Sequence, residues 1–276
     1  MDRRRRAALL ALLLGSMPAA AQELLPIFDT HAHYSSPAWG QYDAAAVLKI
    51  FAAAGVTHAI VSSTPDEGTQ RLKAADPGRI VAMLRPYRED IGPNEWSRDA
   101  ASVAYVAERL ARGGYVGVGE VHLYDRAAAD TEVLRGVARL VAERGLVMHV
   151  HSDAEAIAVL FAHTPGLRIL WAHAGLGVAA EEVAATMARH PDLLMEVALR
   201  AGEIAPGGRL DPLWHELLVR NADRVMIGTD TWVTPRWSIY PEIVAEHRRW
   251  LGLLPPEAAA KIAHANAERL FGLPNP

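Results

Sequence analysis

The sequence contains no cysteine. This excludes a disulfide scaffold, a thiolate metal site and a lipidated N-terminal cysteine. Stability must then come from the core, and any metal must be held by His, Asp or Glu. The apolar run near the N-terminus falls short of the ~20 residues that a membrane-spanning helix needs. No Gly-rich loop follows the first strand-like run to cradle a dinucleotide. No internal repeat, low-complexity tract or interdomain linker breaks the chain. Positive charge is also short: the formal net charge is −4, which gives no general attraction for nucleic acid.

What is present begins with an export pattern. Residues 3–6 are four arginines, residues 7–14 are apolar, and Ala19-Ala20-Ala21 fits an A-x-A site. This order reads as a secretory signal peptide over residues 1–21, cleaved near Gln22, and the arginines suit Sec or twin-arginine export. Cleavage removes four arginines and Asp2, so residues 22–276 carry −7. The expectation is a periplasmic or secreted protein with no stable membrane anchor.

Apolar runs at residues 25–33, 57–63, 80–86, 115–123, 146–151, 167–173, 193–199 and 224–230 read as eight strands. Helical patterns lie between them. Val103, Val106, Ala107 and Leu110 keep the spacing of a buried helix face, as do Leu134, Val137, Leu140 and Val141. Thr64-Pro65-Asp66-Glu67 and Ser152-Asp153-Ala154-Glu155 read as capping boxes, and Asp211-Pro212 as a cap followed by proline. Eight strand–helix units on ~250 residues predict a single α/β domain, a distorted (β/α)8 TIM barrel over residues 22–276. A final helix over residues 257–270 is expected outside it.

In such a barrel, functional groups sit where strands end. Those ends carry His31 and His33 on the first strand and Glu120 on the fourth, then His151, His173 and Asp230 on the fifth, sixth and eighth. Two residues apart on a strand, His31 and His33 project from one face and can converge on a divalent ion. Six N and O donors at one structural level read as a metal site, since a barrel-facing carboxylate is costly unless paired or coordinated. His149 lies one layer deeper and reads as a supporting or packing residue. His122 follows Glu120 in phase and reads as a substrate contact at the mouth. Arg85 and Arg88 suit bidentate binding of a substrate carboxylate or phosphate, with surface salt bridging as the equal alternative. Asp230 follows Gly228-Thr229, where Gly228 leaves room for a close neighbour, and its carboxylate suits orienting a water and accepting its proton.

Together, His31-x-His33, Met148-His149-Val150-His151-Ser152, Trp171-Ala172-His173-Ala174-Gly175, Gly228-Thr229-Asp230 and the segment over residues 262–271 resemble the amidohydrolase superfamily, in its amidohydrolase-2 branch. Glu120 in a Gly-Glu context is similar to the strand-four glutamate of TatD-type nucleases, where it bridges two metals; the carboxylated lysine of other members is lacking. The resemblance implies one or two divalent ions, zinc foremost. His31, His33 and Asp230 hold the first, with His151 and His173 near it or on a second. It also implies hydrolysis of an ester, lactone, amide or related bond in a small molecule, with Asp230 and His173 as catalytic residues. Decarboxylation, TatD-like phosphodiester cleavage and non-catalytic metal or solute binding are the rival outcomes.

Overall fold

The computed structural model describes residues 24–88, 90–124 and 126–272, so the signal-peptide pattern lies outside the described residues. Eight strands follow one another around a parallel sheet: β1 (Ile27–Ala32), β2 (Val56–Val61), β3 (Ile80–Leu84), β4 (Tyr115–Leu123), β5 (Val147–Ser152), β6 (Arg168–Trp171), β7 (Leu194–Glu196) and β8 (Val225–Met226). A parallel bridge between Asp29 and Ile227 joins β8 back to β1, with the Thr30 N–H donating to Ile227 O at 2.8 Å. The result is the expected (β/α)8 barrel.

Helices alternate with the strands: α1 (Ala44–Ala53), α2 (Glu67–Ala75), α3 (Ala101–Ala111), α4 (Glu132–Glu143), α5 (Ala154–His163), α6 (Ala180–Arg189), the short α7 (Ala201–Ile204), α8 (Pro212–Arg220) and α9 (Tyr240–Leu251). Side-chain caps start several of them. Asp43, Thr131, Asp153 and Asp211 each accept a backbone N–H from the first turn, supplying partners that the helix itself lacks. Two expected caps move. Asp153, not Ser152, caps α5. The segment Thr64-Pro65-Asp66 stays outside α2, which begins at Glu67 without a side-chain cap, because Asp66 instead takes hydrogen bonds from Tyr115 and Arg109.

The C-terminal segment departs further from expectation. It is α10 (Pro256–Ala260), a π-helical turn over Lys261–Ala265, and α11 (Asn266–Phe271). Rather than lying outside the barrel, α11 packs Ala267, Leu270 and Phe271 against Phe28, Ile60, Val81, Met83, Val147, Leu170 and Met226. These belong to the lower interior of the barrel, and α11 closes that end. Asn266 fixes the plug by donating to Ala222 O and Val225 O. The remaining interior, at the opposite end of the strands, is polar.

Candidate metal centre

At that end, two strands depart from regular pairing exactly where they carry the site. Register shifts fall between Asp29 and Ala32 on β1 and between Val118 and Val121 on β4. Irregularities of this kind re-aim side chains. On β4, a Cβ at Gly119 would stand 2.3 Å from His149 O, and Gly119 has φ 142°, so glycine alone fits there. Its peptide to Glu120 is cis.

His31 and His33 come together with their Nε2 atoms 3.0 Å apart. Each ring spends its Nδ1–H elsewhere, His31 on Glu196 Oε1 at 3.0 Å and His33 on Ser62 O at 2.5 Å. Neutral rings so held present lone pairs, not protons, at Nε2. Glu120 Oε2 lies 3.2 Å from His33 Nε2 and 3.4 Å from His31 Nε2. Asp230 Oδ1 lies 3.3 and 3.6 Å from the same two atoms. This Oδ1 is buried and has no hydrogen-bond partner among the described residues.

The other oxygen of Glu120 faces a second group. Oε1 lies 2.9 Å from His151 Nδ1 and 3.2 Å from His173 Nε2. His173, at φ 56°, directs its Nδ1 to Ala198 O at 3.3 Å, so its Nε2 lone pair also meets an acceptor. With the rings neutral, acceptor atoms confront one another among His31, His33, Glu120 and Asp230, and between His173 Nε2 and Glu120 Oε1. This is a costly arrangement that positive charge, a bound cation or a proton on His31, relieves. The chain therefore brings together two candidate donor sets, His31/His33/Glu120/Asp230 and Glu120/His151/His173, that share Glu120. An N/O set of this kind fits a divalent ion.

The electrostatics point the same way. Burial alone would raise Glu120 and Glu196, but His31 and neighbouring imidazoles hold both well below the usual carboxylate range. Burial likewise works against Asp230, yet the charge of His31 and the contact with His33 bring it down to about 2. Burial should depress His31; the carboxylates of Glu120, Asp230 and Glu196 outweigh it and raise it well above an ordinary histidine. Three buried carboxylates thus favour positive charge at this place.

Two fully buried acids escape the sequence reading. Glu196, at the end of β7, accepts the His31 Nδ1–H, the His173 N–H at 2.7 Å and the Ala198 N–H at 2.6 Å. It fills the space beside Gly228, where a Cβ would lie 2.2 Å from Glu196 Oε2 and 2.8 Å from His31 Cβ. The available signal was an acid inside the apolar run Leu194-Met195-Glu196. Asp29 braces β1 to β8, accepting from Thr229 N–H, Thr229 Oγ1 and Tyr240 OH.

The remaining candidates separate. Arg85 reaches the cluster, but its guanidinium donates to Glu120 Oε2 at 2.8 Å and to Glu120 O. Arg88 is turned away: it pairs with Asp99 at 2.6 Å and donates to Ser102 on α3, so salt bridging rather than substrate contact describes it. His122 stands at the mouth, stacked on His151 with ring centroids 4.5 Å apart; burial pushes it down to about 3. His149 lies deeper, edge-on to His31 at 4.5 Å, and burial pushes it down to about 4. Trp96 and Trp237 are packed in the core, whereas Trp232 and Tyr124 are exposed on the loops after β8 and β4.

A family model described as Amidohydrolase matches residues 28–273. No protein of curated function matches the chain. Solved structures do. The TatD homologue YjjV from Escherichia coli K12 is 19% identical with a TM-score of 0.66, covering 90% of this chain and 98% of that one. A probable 2-pyrone-4,6-dicarboxylic acid hydrolase from Acinetobacter baumannii, with citric acid bound, is 14% identical with a TM-score of 0.62, covering 89% and 99%. An amidohydrolase from Burkholderia multivorans, with HEPES bound, is 18% identical with a TM-score of 0.62, covering 90% and 99%. At these identities the likeness is one of fold.

Proposed function

Since the chain belongs to the amidohydrolase family of metal-dependent hydrolases, we propose that it cleaves an ester, lactone, amide or related bond of a small molecule. The observation that carries this reading is the unpartnered, buried Asp230 Oδ1 facing the lone pairs of His31 and His33. His31, His33, Asp230 and one oxygen of Glu120 would hold the first ion; His151, His173 and the other oxygen would hold a second. A divalent ion held there, zinc foremost, would supply Lewis acidity to the substrate's carbonyl oxygen and lower the pKa of the attacking water. Asp230 is ionised at neutral pH, and its carboxylate would orient that water and take its proton for delivery to the leaving group. With the first position alone filled, Glu120 and Glu196 favour a protonated His173 against its burial, and its Nε2–H would then donate to the developing oxyanion. Glu196 keeps His31 and His173 in place.

A cavity of about 290 Å³ opens beside His33 between the loops after β1 and β8, walled by Pro37, Ala38, Trp232, Val233 and Pro235. It suits an apolar substituent of the substrate. Export of a form beginning near Gln22 belongs to the same reading and rests on the pattern of residues 1–21.

Metal analysis of the purified protein, followed by assay of phenyl acetate, dihydrocoumarin, an N-acetylated amino acid and citrate, tests the proposal. Citrate enters because the Acinetobacter protein holds citric acid. Metal at one or two equivalents with cleavage of an ester, lactone or amide supports it. A metal-loaded protein inert towards those three bonds overturns it, and carbon dioxide release from citrate would then favour a decarboxylase. The likeness to YjjV and the place of Glu120 in both donor sets favour a phosphodiesterase as the second reading. The acidic charge opposes a nucleic-acid substrate.

A further inference from the structure

His122 is held at three points by two buried aromatic residues of the segment after β3. Its backbone N–H donates to Tyr87 OH at 2.8 Å, and the same hydroxyl lies 2.8 Å from its ring Nδ1. Its carbonyl accepts from Trp96 Nε1–H at 3.1 Å. Tyr87 and Trp96 are 2% and 0% exposed. Such immobilisation is more than packing a histidine at the rim requires.

The pair of bonds at Tyr87 decides the tautomer. The hydroxyl has one proton to give, and among the described residues the acceptor within reach is His122 Nδ1. A proton on Nδ1 would leave the buried Tyr87 O–H with no acceptor, a penalty of ~1–3 kcal/mol. Nδ1 therefore accepts, and the ring proton of the neutral imidazole sits on Nε2. That atom lies 3.8 Å from Glu120 Oε1, beyond hydrogen-bond reach, and the His122 side chain is 15% exposed. A fixed N–H donor thus stands beside the Glu120/His151/His173 group with no acceptor among the described residues within hydrogen-bond reach.

We infer that His122 Nε2–H donates to the reacting oxygen of a carbonyl substrate bound at the cluster, and that Tyr87 is the positioning residue that fixes the ring in this tautomer. The inference rests on the hydrolase reading above and deepens it. No proton is transferred: the hydrogen stays on Nε2 and its bond shortens as charge grows on the oxygen. A neutral imidazole locked this way acts as a pre-oriented dipole and needs no rearrangement during the reaction.

The test uses the zinc-loaded full-length mature protein labelled with ¹⁵N-histidine, with Tyr87→Phe, His122→Gln and His122→Phe beside the wild type. Metal content and circular dichroism are measured on every sample. In the wild type the ¹⁵N shifts of His122 should report a protonated Nε2 and a bare Nδ1. Tyr87→Phe should give a tautomer mixture and lower kcat on phenyl acetate or dihydrocoumarin about 10-fold at unchanged KM. His122→Phe should lower kcat ~10²–10³-fold, the usual cost of one oxyanion donor, and His122→Gln, which keeps an N–H, should recover part of it. An unaltered tautomer in Tyr87→Phe, or wild-type kcat in metal-loaded His122→Phe, overturns the inference. Should the wild type cleave neither compound nor the amide, the hydrolase reading falls and the donor role with it; the tautomer lock is then decided by the ¹⁵N shifts alone.

Discussion

Glu196 Oε1 accepts a hydrogen bond from His31 Nδ1–H across the barrel at 3.0 Å, although the two residues stand 165 positions apart in the chain. Both side chains are fully buried, and the bond turns His31 Nε2 towards His33 and Asp230.

If this bond orients the ring, Glu196→Gln should weaken metal binding by ~10–100-fold, as loss of such supporting contacts usually does. Competition titration with a chelating dye measures it. Wild-type metal affinity in the variant would remove Glu196 from the metal centre.

Asp230→Asn keeps the shape and an oxygen donor but loses the charge. Turnover should fall ~10²–10⁴-fold, the range for loss of a general base, while substantial metal is retained. Metal content and kcat must come from the same sample, since a demetallated protein would mimic the loss. Near-normal turnover with full metal would pass the proton role to another carboxylate, Glu120 first.

Glu120 offers one oxygen to each donor group, so Glu120→Gln should lower the number of zinc ions bound per chain more than His151→Asn does. Equilibrium dialysis with elemental analysis gives the count. Identical stoichiometry in Glu120→Gln and the wild type would refute sharing. The variant also leaves the Arg85 guanidinium without its carboxylate.

His247 provides a pH prediction away from the cluster. Buried, with its Nε2 donating to Gly228 O at 2.9 Å, it is pushed down to about 4 by burial. In the unfolded chain it titrates near ~6.5. Its stabilising contribution is therefore complete above ~6.5 and is lost as pH falls towards 4, because the unfolded state takes up the proton first. The loss should be about 2 kcal/mol at pH 5. Urea unfolding at pH 7 and pH 5 should show a shallower decline for His247→Gln than for the wild type. Equal declines would assign the acid sensitivity to other groups.

The export pattern predicts that protein recovered from its host begins near Gln22 and lies outside the cytoplasm. N-terminal sequencing after cell fractionation tests this. Soluble cytoplasmic protein that still carries Arg3–Arg6 would refute it.

Much of the barrel follows from local chemistry. Strand runs end in His31, His33, Glu120, His151, His173 and Asp230, and a period of two places neighbouring donors on one face, so their convergence was legible in the linear pattern. The family resemblance rests on those same residues. Helix starts were legible to within a residue or two, since Asp153 and Asp211 act on N–H groups of their own first turns. Where Asp66 found partners in Tyr115 and Arg109, 49 and 43 residues away, the local rule lost to a distant one.

What the tertiary structure alone decided is how the donors are aimed. Glu196 looked like one acid in a short apolar run; only closure of the barrel sets it between His31 and His173. Arg85 and Arg88 were equivalent in sequence, yet the fold gives one to Glu120 and the other to Asp99. The terminal helix plugs the barrel, because Phe271 meets Phe28 only once the strands have closed. Periodicity assigns a side chain to a face, since that depends on the backbone at the residue itself. It cannot assign a hydrogen-bond partner, which depends on where chain from elsewhere in the sequence arrives.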